Sequence, residues 1–260
     1  MRQTLAIFTR EMRSYFSSPV AYAVLAAFLF LTGLLYDQLL DSFLQFQYVL
    51  AQQAQRGQPT PPPNVNDFVV RSYLQFFVQI VPIAFLPLIT MRLFPEEKRQ
   101  GTMELLLTAP VTDVQIVLGK YLAALGFYVV MLMASFVHMV FVFVWGAPDL
   151  GPLLAGYLGL FLIGAAFLSL GLFISSLTES QIVAGVITFA LSSLLYMVGF
   201  SSSLVGESLG RVLSYLSIVT HYQDFGKGVI DTKDVLYFVS LSVLGVFLTV
   251  RSVESLRWRG

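Results

Sequence analysis

The sequence contains no cysteine and few charged residues. The lack of cysteine excludes disulfides, thiolate metal sites and a cysteine nucleophile. Charged residues make up 12% of the 260 positions and hydrophobic residues 57%, whereas soluble domains carry about 25% charged residues. So few charges could not keep the surface of a soluble domain in water. A formal net charge of zero also argues against a nucleic-acid partner.

Motifs for nucleotide binding and for catalysis are absent as well. Gly119-Lys120 is followed by Tyr121, and Gly226-Lys227 by Gly228, so neither pair completes a GxxxxGK[ST] loop. The sequence has no HExxH or GxSxG motif and no acidic pair deep in an apolar run. We therefore predict no catalytic residue, no metal ligand and no cofactor bound by this chain. Any work it performs needs energy from a partner or from a gradient.

Six long apolar runs account for most of the chain. Runs of roughly 18 or more residues without charge are typical of membrane-spanning helices. We predict an all-α polytopic membrane protein, with one transmembrane domain over residues 1–260. The six predicted spans cover residues 20–36, 68–91, 114–145, 153–174, 181–200 and 234–250. Pro82 and Pro87 are expected to kink the second span.

The N-terminal residues 1–19 are predicted to form an amphipathic helix in the membrane interface. Apolar side chains recur on one side of it, at Leu5, Phe8, Met12, Tyr15 and Phe16. The alternative is an ordinary helix packed on a neighbour. No apolar run precedes Val20 and no small-residue cleavage site is present, so we expect no removable signal peptide.

The two longest polar intervals differ in character. Residues 57–67 include a proline-rich stretch and are expected to form an exposed loop, whereas residues 42–53 could still be helical. Residues 201–233 keep a periodic apolar face. We predict short re-entrant or interfacial helices there, before span six.

Two features inside the spans suggest contacts between helices. Span four is rich in small residues, which indicates a close dimer or bundle contact. They are Gly156, Gly159, Gly164, Ala165, Ala166 and Gly171. His138 lies deep in span three and is a candidate functional group by its position. The alternative favoured by the residues is a neutral histidine that hydrogen-bonds a neighbouring helix.

Six spans place both termini and the segment 94–112 on one side of the membrane. That side carries ten of the fifteen Lys and Arg residues. They are Arg2, Arg10, Arg13, Arg92, Lys98, Arg99, Lys120, Arg251, Arg257 and Arg259. Because Lys and Arg are enriched on cytoplasmic faces, we expect both termini and this segment to be cytoplasmic.

The segment 94–112, FPEEKRQGTMELLLTAPVT, lies between spans two and three. Proline suits the first turn of a helix, and Glu96 and Glu97 suit its positive end. Gly101 permits a sharp bend, and Thr102 is predicted to cap a short helix over residues 103–107. Leu105 and Leu106, or Met103 and Leu107, could then insert into a groove on a partner. Thr112 and Gln115 form a predicted capping box for span three.

This segment closely resembles the signature of ABC-2 type exporter permeases. That signature has an acidic and basic run followed by Gly-Thr-x-Glu, a Leu pair and Pro. The matching residues are Gly101, Thr102, Glu104, Leu106, Leu107 and Pro110. The stretches FTREMRSYFSSPVAYAVLAAFLFLTGL and HYQDFGKGVIDTKDVLYFVSLSVLGVFLTVR are similar to the branch related to gliding-motility ABC permeases.

The resemblance implies a permease with a cytosolic coupling helix, served by a separate ATPase that binds ATP and Mg²⁺. It further implies two ATPase copies and a second permease copy or paralogue in a bacterial plasma membrane, and it allows a large periplasmic partner. The coupling residues it implies are Glu96, Glu97, Arg99, Gly101, Thr102, Glu104, Leu105, Leu106, Leu107 and Pro110. Contacts from the N-terminal helix are expected at Arg10, Glu11 and Arg13.

Two other functions remain open on the same residues. One is a gradient-driven transporter or channel without an ATPase, with His138 as its titratable group. The other is a membrane anchor for a motility or secretion apparatus, held through residues 42–67 or 201–233. The sequence leaves open the cargo, and whether two permease copies are identical.

Overall fold

The computed structural model describes residues 2–58, 64–108, 110–146, 148–201 and 207–257, and these residues contain helices but no strand. The α-helices in chain order are α1 Arg2–Ser17, α2 Pro19–Gln55, α3 Arg71–Ile80, α4 Leu86–Thr90, α5 Pro95–Gln100, α6 Thr102–Thr108, α7 Asp113–Gly146, α8 Leu150–Leu177, α9 Gln181–Ser201, α10 Glu207–Leu216, α11 Ile218–Tyr222 and α12 Thr232–Arg257.

Six helices among the described residues are long and apolar enough to cross a bilayer. They are Pro19–Gln55, Asn66–Gln100, Asp113–Val144, Leu150–Leu177, Gln181–Gly199 and Thr232–Arg257. The prediction of an all-α polytopic membrane protein with six spans is therefore confirmed.

The first of these helices, α2, is much longer than its apolar part. Ser18 caps its start, where the Ser18 hydroxyl accepts a hydrogen bond from the Val20 amide, and the helix continues for 37 residues to Gln55. At 1.5 Å per residue it is about 55 Å long, whereas the hydrocarbon core is about 30 Å thick. The polar half beyond Tyr36 is therefore helical as well. The proline-rich residues 59–63, part of the predicted loop, lie outside the described residues.

The second span contains two wide turns. Residues Asn66–Val70 and Val81–Phe85 form π-helical turns on either side of α3. The second turn includes Pro82, which has no amide hydrogen and whose ring crowds the preceding turn of an ordinary helix. The predicted distortion at Pro82 therefore takes the form of a widened turn that leads into α4.

Helix α8 lies at the centre of the bundle and is the most buried of the six spans. Four of its glycines each face a different neighbouring side chain, and a Cβ atom at any of these four would overlap that neighbour. The pairs are Gly156 with Leu74, Gly159 with Phe225, Gly164 with Tyr128 and Gly171 with Thr90. The small residues of span four thus serve contacts within the bundle, which was one of the two predicted roles.

The bundle has two ends, which we name by their elements. At the coupling end lie α1, α5, α6 and the start of α7. Helix α12 finishes there, with Arg257 3.2 Å from Asp113. At the opposite end, α10 and α11 precede α12, in the region where short helices were predicted.

Candidate coupling site

The segment between the second and third spans folds as two short helices at the coupling end. Pro95 occupies the first turn of α5 together with Glu96 and Glu97, where the missing amide hydrogen costs nothing and carboxylates are favoured. Gly101 ends α5 with φ of 70°, in the left-handed region that other residues rarely adopt. The predicted bend at Gly101 is confirmed, and α6 follows it directly.

The start of α6 differs from the prediction. Thr102 was expected to cap the helix, but it is the first helical residue, and its hydroxyl lies 3.4 Å from the Glu97 carbonyl oxygen as a donor. That carbonyl, at the end of α5, also accepts the Gly101 amide, so the Thr102 hydroxyl adds a second donor to it. Met103, expected to be free for a partner, is buried against the bundle core.

Lys120 is the most buried charge at this end, with 1% of its side chain exposed. Three oxygen atoms surround its ammonium group, two as hydrogen-bond acceptors and one as an ion-pair partner. They are the Leu93 carbonyl oxygen at 2.7 Å, Glu97 Oε2 at 2.9 Å and Glu11 Oε1 at 3.0 Å. The Phe94 ring centroid lies 5.3 Å from Nζ and adds a cation–π contact. Lys120 thereby joins α7 to α1 and to α5.

Arg10 closes this network from the outside. Its Nη2 donates to Glu97 Oε1 at 2.6 Å and to Glu11 Oε1 at 2.7 Å, so two carboxylates alternate with two cations. Burial favours the neutral form of the Glu11 carboxyl, but the charge of Lys120 and the hydrogen bond from Arg10 outweigh it. The pKa of Glu11 therefore lies below its ordinary value of 4.5.

The end of α8 also holds the coupling segment. The Phe94 amide donates to Ser175 Oγ at 3.2 Å, and Lys98 Nζ donates to the Ser176 carbonyl oxygen at 2.6 Å. Carbonyl groups in the last turn of a helix have no helical partner, and a cation there is stabilised by the negative end of the helix dipole. Together with the Lys120 network, these bonds fix α5 to three other helices.

The C-terminal end of the segment 94–112 is also held by hydrogen bonds. Gln3 of α1 donates to the Pro110 carbonyl oxygen at 2.7 Å. The Thr112 amide donates to Gln115 Oε1 at 3.2 Å and the Gln115 amide to Thr112 Oγ1 at 3.3 Å, which confirms the predicted capping box.

The predicted coupling residues separate into an inner and an outer set. Glu97 points into the charge network and Leu106 packs partly against the core. Glu96 is partly buried. The exposed residues are Arg99, Gly101, Thr102, Glu104 and Pro110. The side chains of Leu105 and Leu107 lie outside the described residues.

The N-terminal helix contributes fewer of its predicted contacts. Arg10 and Glu11 enter the network, whereas Arg13 is exposed and lies outside it. Helix α1 packs along α7, and a Cβ atom on Gly119 would overlap Ile7. Leu5, predicted on the apolar side, is 65% exposed.

His138 is not part of the coupling site. Its Nδ1 lies 2.8 Å from the Tyr73 hydroxyl and 3.2 Å from the Ser135 carbonyl oxygen, and the Tyr36 ring contacts the imidazole. His138 forms no ion pair with an acidic residue in the described part of the chain. This arrangement matches the alternative of a histidine that hydrogen-bonds a neighbouring helix.

Three residues of the site were missed from the sequence, namely Lys120, Ser175 and Ser176. The sequence placed Lys120 only among the ten basic residues on the predicted cytoplasmic side. One signal was available, because a single lysine seven residues into an apolar helix that starts at Asp113 needs a partner. Ser175 and Ser176 carry no such signal, since serine is common in apolar helices.

Six apolar helices, with a helical segment held by hydrogen bonds and ion pairs between the second and third of them, define a polytopic membrane protein. A family model described as "ABC-2 family transporter protein" matches residues 7–249. The chain belongs to this family. Members of ABC permease families are transmembrane subunits and are generally non-catalytic.

Two curated relatives carry the name "Probable multidrug ABC transporter permease YbhR", from Escherichia coli K12 and from Escherichia coli O157:H7. Each is 28% identical over 204 residues, which is 73% of this chain and 54% of the relative. The chain thus spans about half the length of the curated relatives it matches. The likeness to the gliding-motility branch stays a prediction.

Proposed function

We propose that the chain is the transmembrane permease subunit of an ATP-binding cassette exporter. A separate ATPase subunit binds ATP and Mg²⁺, while this chain binds neither. The lack of a P-loop in the sequence and the membership of the ABC-2 family both support this division. The name of the Escherichia coli relatives supports a role in transport.

The observation that carries the proposal is the buried Lys120 network beneath an exposed surface. Glu97 cannot move away from Lys120 without leaving a charge unpaired in the protein interior, which costs about 3–5 kcal/mol. A force applied to α5 is therefore passed to α1 and α7 rather than absorbed by bending. The exposed residues Arg99, Thr102 and Glu104 form the face that meets the ATPase.

The proposal includes an orientation and a stoichiometry. The coupling end and both termini face the cytoplasm of a bacterial plasma membrane, which the distribution of Lys and Arg supports. Two ATPase copies act on two permeases, the second identical or a paralogue. The largely exposed apolar faces of α2, α9 and α12 are available to lipid and to that second subunit. A large periplasmic protein would meet the opposite end.

Purification of the complex in mild detergent, followed by reconstitution, tests the proposal. We expect an ATPase subunit to co-purify in a fixed ratio. Glu104→Arg should reduce transport per ATP hydrolysed at least tenfold while the spans stay folded. Glu254→Arg is the matched control, because it makes the same charge change at a partly exposed residue of α12 near the same end, where Glu254 forms an ion pair with the exposed Arg251.

A second pair of variants tests the bend. Gly101→Leu should uncouple hydrolysis from transport, because leucine is strained at φ of 70°, whereas Gly101→Asn should keep most activity, since asparagine tolerates the left-handed region. Full coupling in both Glu104→Arg and Gly101→Leu would contradict the proposed site. Gradient-driven transport by the chain without an ATPase would favour the alternative function.

A further inference from the structure

Three aspartates converge at the opposite end of the bundle. Asp224 follows α11, Asp231 immediately precedes α12, and Asp234 lies in the first turn of α12. One carboxylate oxygen from each lies within 4.8 Å of the other two. Three acidic groups so close repel one another unless a cation lies among them.

Asp234 is the residue that distinguishes this cluster from a solvated acidic surface. It is 1% exposed. Its Oδ1 lies 2.6 Å from Nδ1 of His221, which is itself held by a hydrogen bond from Nε2 to the Tyr215 carbonyl oxygen at 2.8 Å. Its Oδ2 is buried and has no hydrogen-bond partner among the described residues. A buried carboxylate oxygen without a partner costs free energy that a bound cation would recover.

Two lysines partly neutralise the outer aspartates. Lys227 Nζ lies 3.1 Å from Asp224 Oδ1, and Lys233 Nζ lies 2.9 Å from Asp231 Oδ2 and 3.9 Å from Asp224 Oδ2. Both lysine side chains are about half or more exposed, at 49% and 64%, and ion pairs this exposed are weak because water screens them. Neither lysine forms an ion pair with Asp234 in the described part of the chain. One divalent cation carries the same charge as the two ammonium groups and would take their place beside the aspartates.

We propose that Asp224, Asp231 and Asp234 form a binding site for a divalent cation of the calcium type. The three carboxylate oxygens lie within 4.8 Å of one another, close enough to share one ion. Ca²⁺ accepts a flexible set of about 6–8 oxygen ligands at about 2.3–2.6 Å, as three carboxylates from separate elements plus water would supply, whereas Mg²⁺ needs near-ideal octahedral geometry at about 2.0–2.1 Å. Oδ2 of Asp234 is the inner ligand, and His221 orients that carboxylate from its other oxygen, as outer partners of metal ligands do.

The cation would fasten the loop after α11 to the start of α12. Water supplies the remaining ligands, because the two outer aspartates are partly exposed. With two lysines competing, we expect a dissociation constant on the order of 0.1–1 mM, the range of extracellular calcium modules. The site does not depend on the proposed ATPase partner.

Terbium luminescence with the full chain in mild detergent tests the site. Tb³⁺ stands in for Ca²⁺, and the rings of Tyr215 and Tyr237 beside His221 can sensitise it. We expect Ca²⁺ to displace Tb³⁺ at millimolar concentration and Mg²⁺ to do so much less well. Asp231→Asn and Asp224→Asn should each weaken Ca²⁺ binding at least tenfold. Asp41→Asn, an exposed aspartate of α2, should leave it unchanged.

The Lys233→Met variant distinguishes a metal-cation site from an acidic cluster whose charge the lysines already balance. Removal of the competing ammonium should tighten Ca²⁺ binding several-fold in a cation site. The proposal is overturned if about 10 mM Ca²⁺, which is above the expected dissociation constant, displaces no Tb³⁺. It is also overturned if Asp231→Asn binds Ca²⁺ as the wild type does, or if Lys233→Met binds Ca²⁺ more weakly. Asp224 and Asp231 are partly exposed, so their asparagine variants test the site even where Asp234→Asn fails to fold.

Discussion

At the scale of single residues, Lys120 shows how a buried charge can be kept in a membrane protein. A lysine is almost never fully buried unless it is paired. Here three oxygens lie within 3.0 Å of the ammonium nitrogen, and two of those oxygens belong to carboxylates. The energy of the arrangement depends on all members, so the loss of one leaves the others unpaired.

Lys120→Met should therefore destabilise the protein strongly. The change leaves Glu11 and Glu97 close together with only Arg10 to balance them, and we expect a loss of about 3–5 kcal/mol in the free energy of unfolding. Denaturant titration in detergent measures this. Lys227→Met, at an exposed lysine, serves as the control and should cost less than about 1 kcal/mol.

A double-mutant cycle makes this prediction sharper. Glu97→Gln in the Lys120→Met background removes one of the unpaired charges, so it should recover part of the loss, whereas the same change in the wild type should destabilise. Additive losses from the two substitutions would show that Lys120 and Glu97 are not coupled.

The depressed pKa of Glu11 predicts a pH dependence of stability. Because the folded protein holds this carboxyl below its ordinary pKa of 4.5, its contribution is fully present above pH 4.5 and is lost as the pH falls through the lower, folded value. The stability difference between wild type and Glu11→Gln should be constant from pH 7 to pH 5 and shrink below 4.5. Thermal unfolding at stepped pH measures it, and a difference that grows on acidification would contradict it.

At the scale of helices, the glycines of α8 decide how closely the bundle packs. Gly164 faces the Tyr128 ring so closely that a Cβ atom would overlap it, and the Tyr128 hydroxyl donates to the Leu160 carbonyl oxygen at 2.8 Å. Gly164→Ala should cost about 1–3 kcal/mol, because a rigid ring on another helix must move. Unfolding in detergent gives the value.

Gly151 on the same helix is the matched control, since no atom lies within 4 Å of a Cβ placed there. Gly151→Ala should be neutral or stabilise by up to about 1 kcal/mol, as expected for alanine in place of glycine in a helix. Equal effects at the two positions would mean that helix propensity, and not close packing, governs α8.

At the scale of the whole molecule, the lack of cysteine permits a clean test of orientation. Single cysteines can be introduced at Gln100, on the coupling end, and at Arg56, beyond the end of α2. Both positions are exposed. If the coupling end is cytoplasmic, a membrane-impermeant maleimide should label Arg56→Cys in intact cells and Gln100→Cys only after lysis. The reversed labelling would overturn the proposed orientation.

Local patterns determined a large part of this architecture. The apolar runs set the number of spans because a bilayer selects for length and lack of charge, and Gly101 and the Thr112–Gln115 capping box act through their immediate neighbours. The end of α2 was not determined in this way. Its span ends where hydrophobicity falls, but the helix continues to Gln55 because glutamine, alanine and leucine still favour it.

The sequence by itself determined the class of the protein, the order of its helices and the place of the polar segment between the second and third spans. Only the tertiary structure decided which side of that segment is buried, with Met103 turned inward and Glu97 joined to Lys120. It also brought His221 and three aspartates together from separate elements. The reason is physical. Helix formation and membrane insertion depend on neighbouring residues, whereas pairing of buried charges depends on which distant side chains the packed helices bring within about 3 Å.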